Sequence, residues 1–259
     1  MNYVIWDVET DSADTNYATI IEIGALLLDE NFREKERFSA RCRLPQDRVP
    51  SATALCVNRS SIDLLTKQNL SHYQMLNQIE AKFKEWSPAT FLGYSSINFD
   101  DEVIRKEFFK TLREPYITNT NGNKRGDAMK LLHSAAAVYP NAFVRPLDDE
   151  TGKITFRLEK FAAANGIEHS KAHDALSDVE ATLGVCKLVK EKCNDVWESA
   201  LQTASKQDVY TYVNQDKVFC ASRFFRGKEY THGLAFLTKD PSYENHVYCY
   251  DLTVDPDYI

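Results

Sequence analysis

The chain has 259 residues, of which 43% are apolar and 27% charged, and its formal net charge is −7. That length holds one large or two small domains, and the balance is that of a globular chain with a sizeable core, not of a disordered one, which combines low hydrophobicity with high net charge. No apolar run approaches the roughly 20 residues of a membrane helix, the start Met1-Asn-Tyr-Val-Ile-Trp-Asp7 has neither a basic region nor the long apolar core of a secretory signal, and the six cysteines (42, 56, 186, 193, 220, 249) include no C-x-x-C pair, which suits reduced thiols in a cytoplasmic protein and no zinc site.

In chain order, Tyr3 to Asp7 reads as a short buried strand, Thr19 to Leu28 as a second and Glu36 to Arg43 as a third, and their short links predict an antiparallel meander. Ser71 to Trp86 carries Met75, Ile79, Phe83 and Trp86 at helical spacing. Thr90 to Tyr94 returns to a strand, and Asp100 to Leu112 reads as a helix. A turn-rich stretch, Asn119 to Lys124, precedes a helix from about Asp127 to Val138, and Pro140 to Gly152 is a further loop. Two more helices follow, Arg157 to Asn165 with Gly166 as its C-cap, and Asp174 to Lys192 with Asp174 as its N-cap. After about residue 197 the pattern turns to short aromatic alternating runs, Val209 to Val213, Lys217 to Cys220 and His246 to Tyr250, which predict small-barrel β structure with 6 basic and 9 acidic residues. Residues 1–195 therefore read as an α/β domain with a mixed sheet flanked by helices, and 196–259 as a second, β-rich segment.

Asp7-Val8-Glu9 ends the first strand, where residues two apart share a face. Two carboxylates there repel and desolvate each other unless a cation lies between them. Asp100 opens a helix, where an acid serves equally well as a cap, and His173 precedes Asp178 by five residues at the start of another, a spacing common in ordinary proteins. Together the four carboxylates match what a two-metal phosphodiesterase needs: oxygen ligands for two Mg²⁺ ions about 4 Å apart. In that reading Asp7 bridges the ions, Glu9, Asp100 and Asp178 complete the cage, and His173 takes the proton of the attacking water. The acidic net charge argues against a non-specific nucleic-acid binder but not against this chemistry, because bound metals restore positive charge where it is needed.

Asp7-Val-Glu-Thr10, Ile20-Ile-Glu-Ile-Gly-Ala25, Asn98-Phe-Asp100 and His173-Asp-Ala-Leu-Ser-Asp178 resemble the motifs of the DEDDh 3′→5′ exonucleases, which share an RNase H-like fold. Gly93-Tyr-Ser-Ser-Ile-Asn-Phe-Asp-Asp-Glu-Val-Ile-Arg105 and Phe156-Arg-Leu-Glu-Lys-Phe-Ala-Ala-Ala-Asn-Gly-Ile-Glu-His-Ser-Lys-Ala-His-Asp-Ala175 are similar to the second and third motif regions of the bacterial exonuclease I family within that superfamily. The likeness covers about residues 1–195 and continues weakly into Phe224-Phe-Arg-Gly-Lys228, similar to the start of that family's SH3-like β domain, so that 196–259 is expected to be a partial SH3-like domain. The resemblance implies Mg²⁺-dependent release of 5′-mononucleotides from the 3′ ends of single-stranded DNA in DNA repair, with Mn²⁺ able to substitute, and single-strand DNA-binding protein as a partner. It places Glu9 and Arg157 at the terminal nucleotide and Arg105 and Tyr116 (in Glu114-Pro-Tyr116) along the strand. An Arg suits phosphate and a Tyr offers a stacking face, while outside the resemblance the same residues read as ordinary surface charges and a rim aromatic. One departure is Val57-Asn-Arg-Ser-Ser61, which stands where the family has Thr-Gly-Ile-Thr. The family's C-terminal helical domain has no counterpart in this sequence.

The catalytic pattern leaves two other functions open. An RNA- or short-oligonucleotide-trimming exonuclease of the same superfamily would carry the same carboxylates, since recognition of the 2′-OH depends on groove contacts. A non-catalytic nucleic-acid-binding module would have no need of all four carboxylates and His173.

Overall fold

Tyr3-Val-Ile-Trp6 is apolar on both faces, and β1 (Asn2–Thr10) accordingly runs through the middle of a five-stranded sheet. The structure, a computed structural model, describes residues 1–169, 174–243 and 246–258. The sheet contains β2 (Ile20–Leu28), β3 (Glu34–Arg41), β4 (Ala89–Gly93) and β5 (Lys124–Asp127) in the order β3-β2-β1-β4-β5. β1, β2 and β3 pair antiparallel, as the short links predict, whereas β4 and β5 join in parallel, which makes the sheet mixed. Between β3 and β4 lie two short helices, α1 (Ala52–Val57) and α2 (Ile62–Thr66), and then α3 (His72–Trp86), which begins with a capping box between Ser71 and Gln74. α4 (Asp100–Lys110) follows β4. Val4, Trp6 and Val8 on one face of β1 join a single apolar cluster with Met75, Leu76, Ile79 and Phe83 of α3 and Val103, Ile104 and Phe108 of α4. That face is closed by helices, so Asp7 and Glu9, on alternate positions, are left to the other face.

The remaining helices are α5 (Ala128–Val138), α6 (Leu158–Ala164), α7 (Ala175–Lys192), α8 (Asn194–Leu201) and α9 (Lys206–Asp216). Gly166 (φ 70°) ends α6, and the Asp174 carboxylate accepts the Ser177 amide (3.2 Å) at the start of α7, both as their residue types predict. A separate antiparallel sheet, β6 (Val218–Phe225), β7 (Lys228–Lys239) and β8 (Val247–Asp251), is what a partial SH3-like domain presents. No helix among the described residues is long and apolar enough to cross a membrane, and each of the six cysteines is a free thiol.

Packing divides the chain into two compact units, residues 1–128 with 158–188 and residues 129–157 with 189–259. Residues 129–157, which the sequence reading places in the first domain, join the C-terminal segment through an aromatic cluster: the rings of His133, Phe156 and Phe224 lie 4.8–5.0 Å apart. Arg145 pairs with Glu229 (2.9 Å) beside it.

One predicted strand is corrected. Val209 to Val213 lies inside α9. Ser205 caps that helix by accepting the Asp208 amide (3.1 Å), Asp208 places an acid in the first turn, and Val209 and Val213 share a face at i, i+4, with Val213 buried. The run Val-Tyr-Thr-Tyr-Val fits either period, and the cap decides. The short elements α1, α2, β5 and α8, of four to eight residues, were not anticipated, since they span too little chain to show a periodicity.

Candidate active site

The site lies where β1 runs past its parallel neighbour. β4 pairs with β1 only from Asn2↔Ala89 to Ile5↔Leu92, so the residues from Asp7 onward have no strand partner on that side among the described residues. The Val8 amide donates instead to Asp100 Oδ1 (3.1 Å), which ties the first residue of α4 to β1. The turn from β4 into α4 is held by Asp127 at the end of β5, whose two carboxylate oxygens accept the amides of Ser95 (3.1 Å) and Ile97 (3.4 Å). Sheet order thus delivers Asp100 beside Asp7 and Glu9.

Asp178 arrives from the other direction. Gly24 on β2 is the cross-strand partner of Asp7. The N-terminus of α7 packs so tightly upon it that a Cβ at position 24 would lie 2.6 Å from the backbone of Ala175 and Leu176. Only glycine allows this approach. It brings the first turn of α7, with Asp178, over the β1 carboxylates, and oxygen atoms of Asp7, Glu9 and Asp178 lie within 4.8 Å of one another. Arg37 on β3 anchors the same helix through Glu180 (2.7 Å).

The electrostatics are those of crowded like charges. Burial, followed by the charges of Asp100, Glu9 and Asp178, raises the Asp7 carboxyl well above the usual carboxylate range. Glu9, 8% exposed, is pushed up to about 8, by burial first and then by Asp178 and Glu22. Asp100, 4% exposed, is likewise raised, by burial above all, although its bond from the Val8 amide pulls the other way. A fifth carboxylate, Glu22, faces Glu9 across the β1–β2 pair and is compensated by Arg41 on β3. An all-oxygen donor set under mutual repulsion fits a hard divalent cation. The sites that could hold one are Asp7, Glu9 and Asp178, with Asp100 adjacent.

The other residues picked out in the sequence fall as follows. His173 lies outside the described residues. Arg105 is paired with Glu102, and its guanidinium carbon is 6.0 Å from the centroid of the Tyr116 ring, which is 47% exposed, so these two form one surface feature. Arg157 belongs to the second unit, is exposed, and pairs with Asp148 (3.3 Å). In the stretch Val57-Asn-Arg-Ser-Ser61, Asn58 is buried and its Nδ2 donates to the Thr10 carbonyl (2.8 Å), next to Glu9. The sequence reading did not single out Glu22 or Gly24. Glu22 is the one charge in an otherwise apolar strand, and that break in pattern is the signal it offered. His169 was also missed, and its Nε2 lies 2.6 Å from Asp178 Oδ1.

Comparison with known proteins gives a consistent picture. The exonuclease family, RNase_T, matches residues 4–186. Exodeoxyribonuclease I of Haemophilus influenzae is 30% identical over 215 residues, covering 82% of this chain and 45% of that protein. Among solved structures, E. coli Exonuclease I in complex with a dT13 oligonucleotide superposes with a TM-score of 0.85 at 26% identity, over 99% of this chain and 56% of that one. An ExoI/SSB-Ct complex gives 0.83 at 25% identity, over 98% and 56%. The chain spans about half the length of the curated relatives it matches.

Proposed function

The chain belongs to the exonuclease family, and from that membership we propose that it shortens single-stranded DNA from the 3′ end, releasing 5′-mononucleotides in a reaction that depends on two Mg²⁺ ions, in the service of DNA repair. The observation that carries this reading is the convergence of Asp7, Glu9 and Asp178 from two separate elements, with Asp100 bonded to the intervening strand. The raised carboxyls of Asp7 and Glu9 favour a bound cation over an empty cluster. The likeness to E. coli Exonuclease I, solved with dT13, supports DNA as substrate.

In this mechanism Asp7, Glu9, Asp100 and Asp178 would hold the ions. Ions so held would stabilise the charge that develops on the attacking and leaving oxygens of an in-line displacement. His173 accepts the proton of the attacking water, the new P–O bond forms, and the P–O3′ bond breaks, the departing O3′ taking a proton from solvent to leave a 3′-hydroxyl on the shortened strand. Glu9 and Arg157 contact the terminal nucleotide. Tyr116 offers a stacking face to an upstream base, and Arg105 beside it meets phosphate. Residues 1–195 carry every nuclease motif, and 196–259 contribute as a partial SH3-like domain. The ExoI/SSB-Ct complex supports single-strand DNA-binding protein as a partner.

The test is digestion of matched 5′-labelled DNA and RNA oligonucleotides with Mg²⁺, with EDTA and Asp7→Ala as controls. Stepwise shortening of DNA, much faster than RNA and abolished in both controls, is expected. A preference for RNA would replace the substrate assignment with an RNA-trimming one, and cleavage that survives EDTA would overturn the mechanism.

A further inference from the structure

We propose that His169 is a positioning residue for Asp178, its Nε2–H donating to Oδ1 and thereby holding the carboxylate in the orientation that binds metal. The inference rests on the metal-site reading above and adds a residue to it. The contact is 2.6 Å long, and the side chains are 5% and 16% exposed for His169 and Asp178. Nδ1 is buried and meets no hydrogen-bond partner among the described residues. A ring protonated at Nε2 leaves only a lone pair unsatisfied there, whereas protonation at Nδ1 would bury a donor N–H with no acceptor among the described residues.

The backbone builds this contact deliberately close to α7. Gly166 turns the chain out of α6 at φ 70°, and the Ile167 amide returns to the Ala162 carbonyl (2.9 Å). Ile167 then lies directly on α7 at Gly184, where a Cβ would meet its Cγ2 at 2.4 Å. The next residues run back along α7 toward its first turn, so that His169 reaches Asp178 two residues later. Two extended residues cover about 7 Å, and the six residues from Asp178 to Gly184 cover about 9 Å of helix, so the register fits.

A carboxylate that serves as a metal ligand has two oxygens and a soft terminal torsion. Here it also stands beside Asp7 and Glu9, whose charges repel its own. A buried donor on Oδ1 removes the torsional freedom and offsets part of the repulsion. Hydrogen-bond partners of metal ligands contribute about 10–100-fold in affinity or activity. The role is one of donation, and it differs from the proton-accepting role given to His173 four residues on.

Two variants of the full chain separate these possibilities. His169→Phe keeps the ring and its burial but has no donor, and His169→Gln places an amide N–H near the position of Nε2. Mn²⁺ affinity measured by calorimetry without DNA should fall about 10–100-fold in His169→Phe, with kcat falling and the KM for the strand unchanged. His169→Gln should restore both to within about threefold of the original protein. Long-range ¹H–¹⁵N spectra of the original protein should show His169 protonated at Nε2. Unchanged Mn²⁺ affinity in His169→Phe, an equal defect in His169→Gln, or protonation at Nδ1 alone would each overturn the proposal. Should His169→Phe not fold, His169→Gln and the tautomer spectrum decide it. Failure of the original protein to bind Mn²⁺ would instead overturn the metal site itself, and this inference with it.

Discussion

Gly24→Ala tests the geometric account of the site. The added Cβ would lie 2.6 Å from the backbone of Ala175 and Leu176, against an ordinary contact of at least 3.4 Å. Backbone at a helix start cannot rotate away as a side chain does, so α7 and β2 must separate by about 0.8 Å, judged from those two distances. Overpacking of this kind costs about 1–3 kcal/mol, or roughly 2–4 °C in Tm per kcal/mol for a protein of this size. The functional effect should be larger than the effect on stability. Gly24 is the cross-strand partner of Asp7, and the helix that moves carries Asp178, so the displacement opens the cluster directly. Misplacement of reacting groups by about 1 Å costs on the order of 100-fold in rate. The assay is Mg²⁺-dependent shortening of a 5′-labelled oligonucleotide beside a thermal melt, with Gly233→Ala as a control, since its backbone is not left-handed and the nearest atom to a Cβ there would lie 3.8 Å away. Activity in Gly24→Ala within threefold of the original protein, in a folded sample, would refute the claim that this close approach assembles the site.

Asp178→Asn should abolish cleavage and, without divalent metal, raise the melting temperature, because it removes one of several repelling carboxylates; a lower metal-free melting temperature would contradict the repulsion argument. In the metal-free protein Glu9 titrates near pH 8 against an unfolded value of 4.5, so the folded state holds a proton that the unfolded chain has released across that window. Stability should therefore fall as pH rises from 4.5 toward 8, excess Mg²⁺ should shrink the difference, and a metal-free melting temperature that rises from pH 5.5 to pH 8 would show the sign to be wrong. Tyr116→Ala should raise the KM for single-stranded DNA about tenfold with kcat little changed, as expected for loss of one base stack worth about 1–3 kcal/mol, and an unchanged KM removes Tyr116 from the strand path. His173→Ala should slow cleavage by about 10²–10⁴-fold at saturating metal, and a loss below about tenfold argues for a different base.

Much of this protein is legible from local pattern. The apolar run before Asp7 makes β1 a central strand, the alternation behind it forces Asp7 and Glu9 onto one face, and helical spacing from Met75 to Trp86 defines α3. These features depend on residues a few positions apart, and so do the caps at Ser71, Gly166 and Asp174. Local pattern fails where two periods fit equally, as in Val209 to Val213, and where elements are too short to repeat, as in β5. It also leaves open that residues 129–157 pack with the C-terminal segment, since contacts such as Phe156 with Phe224 join residues far apart in the chain.

Which carboxylates are present, and the strand or helix that carries each, follow from residues a few positions apart. Their meeting is a matter of packing. Asp100 reaches β1 because β4 joins that strand in parallel and stops short of Val8, and Asp178 reaches Asp7 because α7 can settle onto the bare backbone of Gly24. His169 joins them because Gly184 lets Ile167 lie flat on the same helix. Strand order and close approach are set by packing across the whole unit, and no window of sequence contains them.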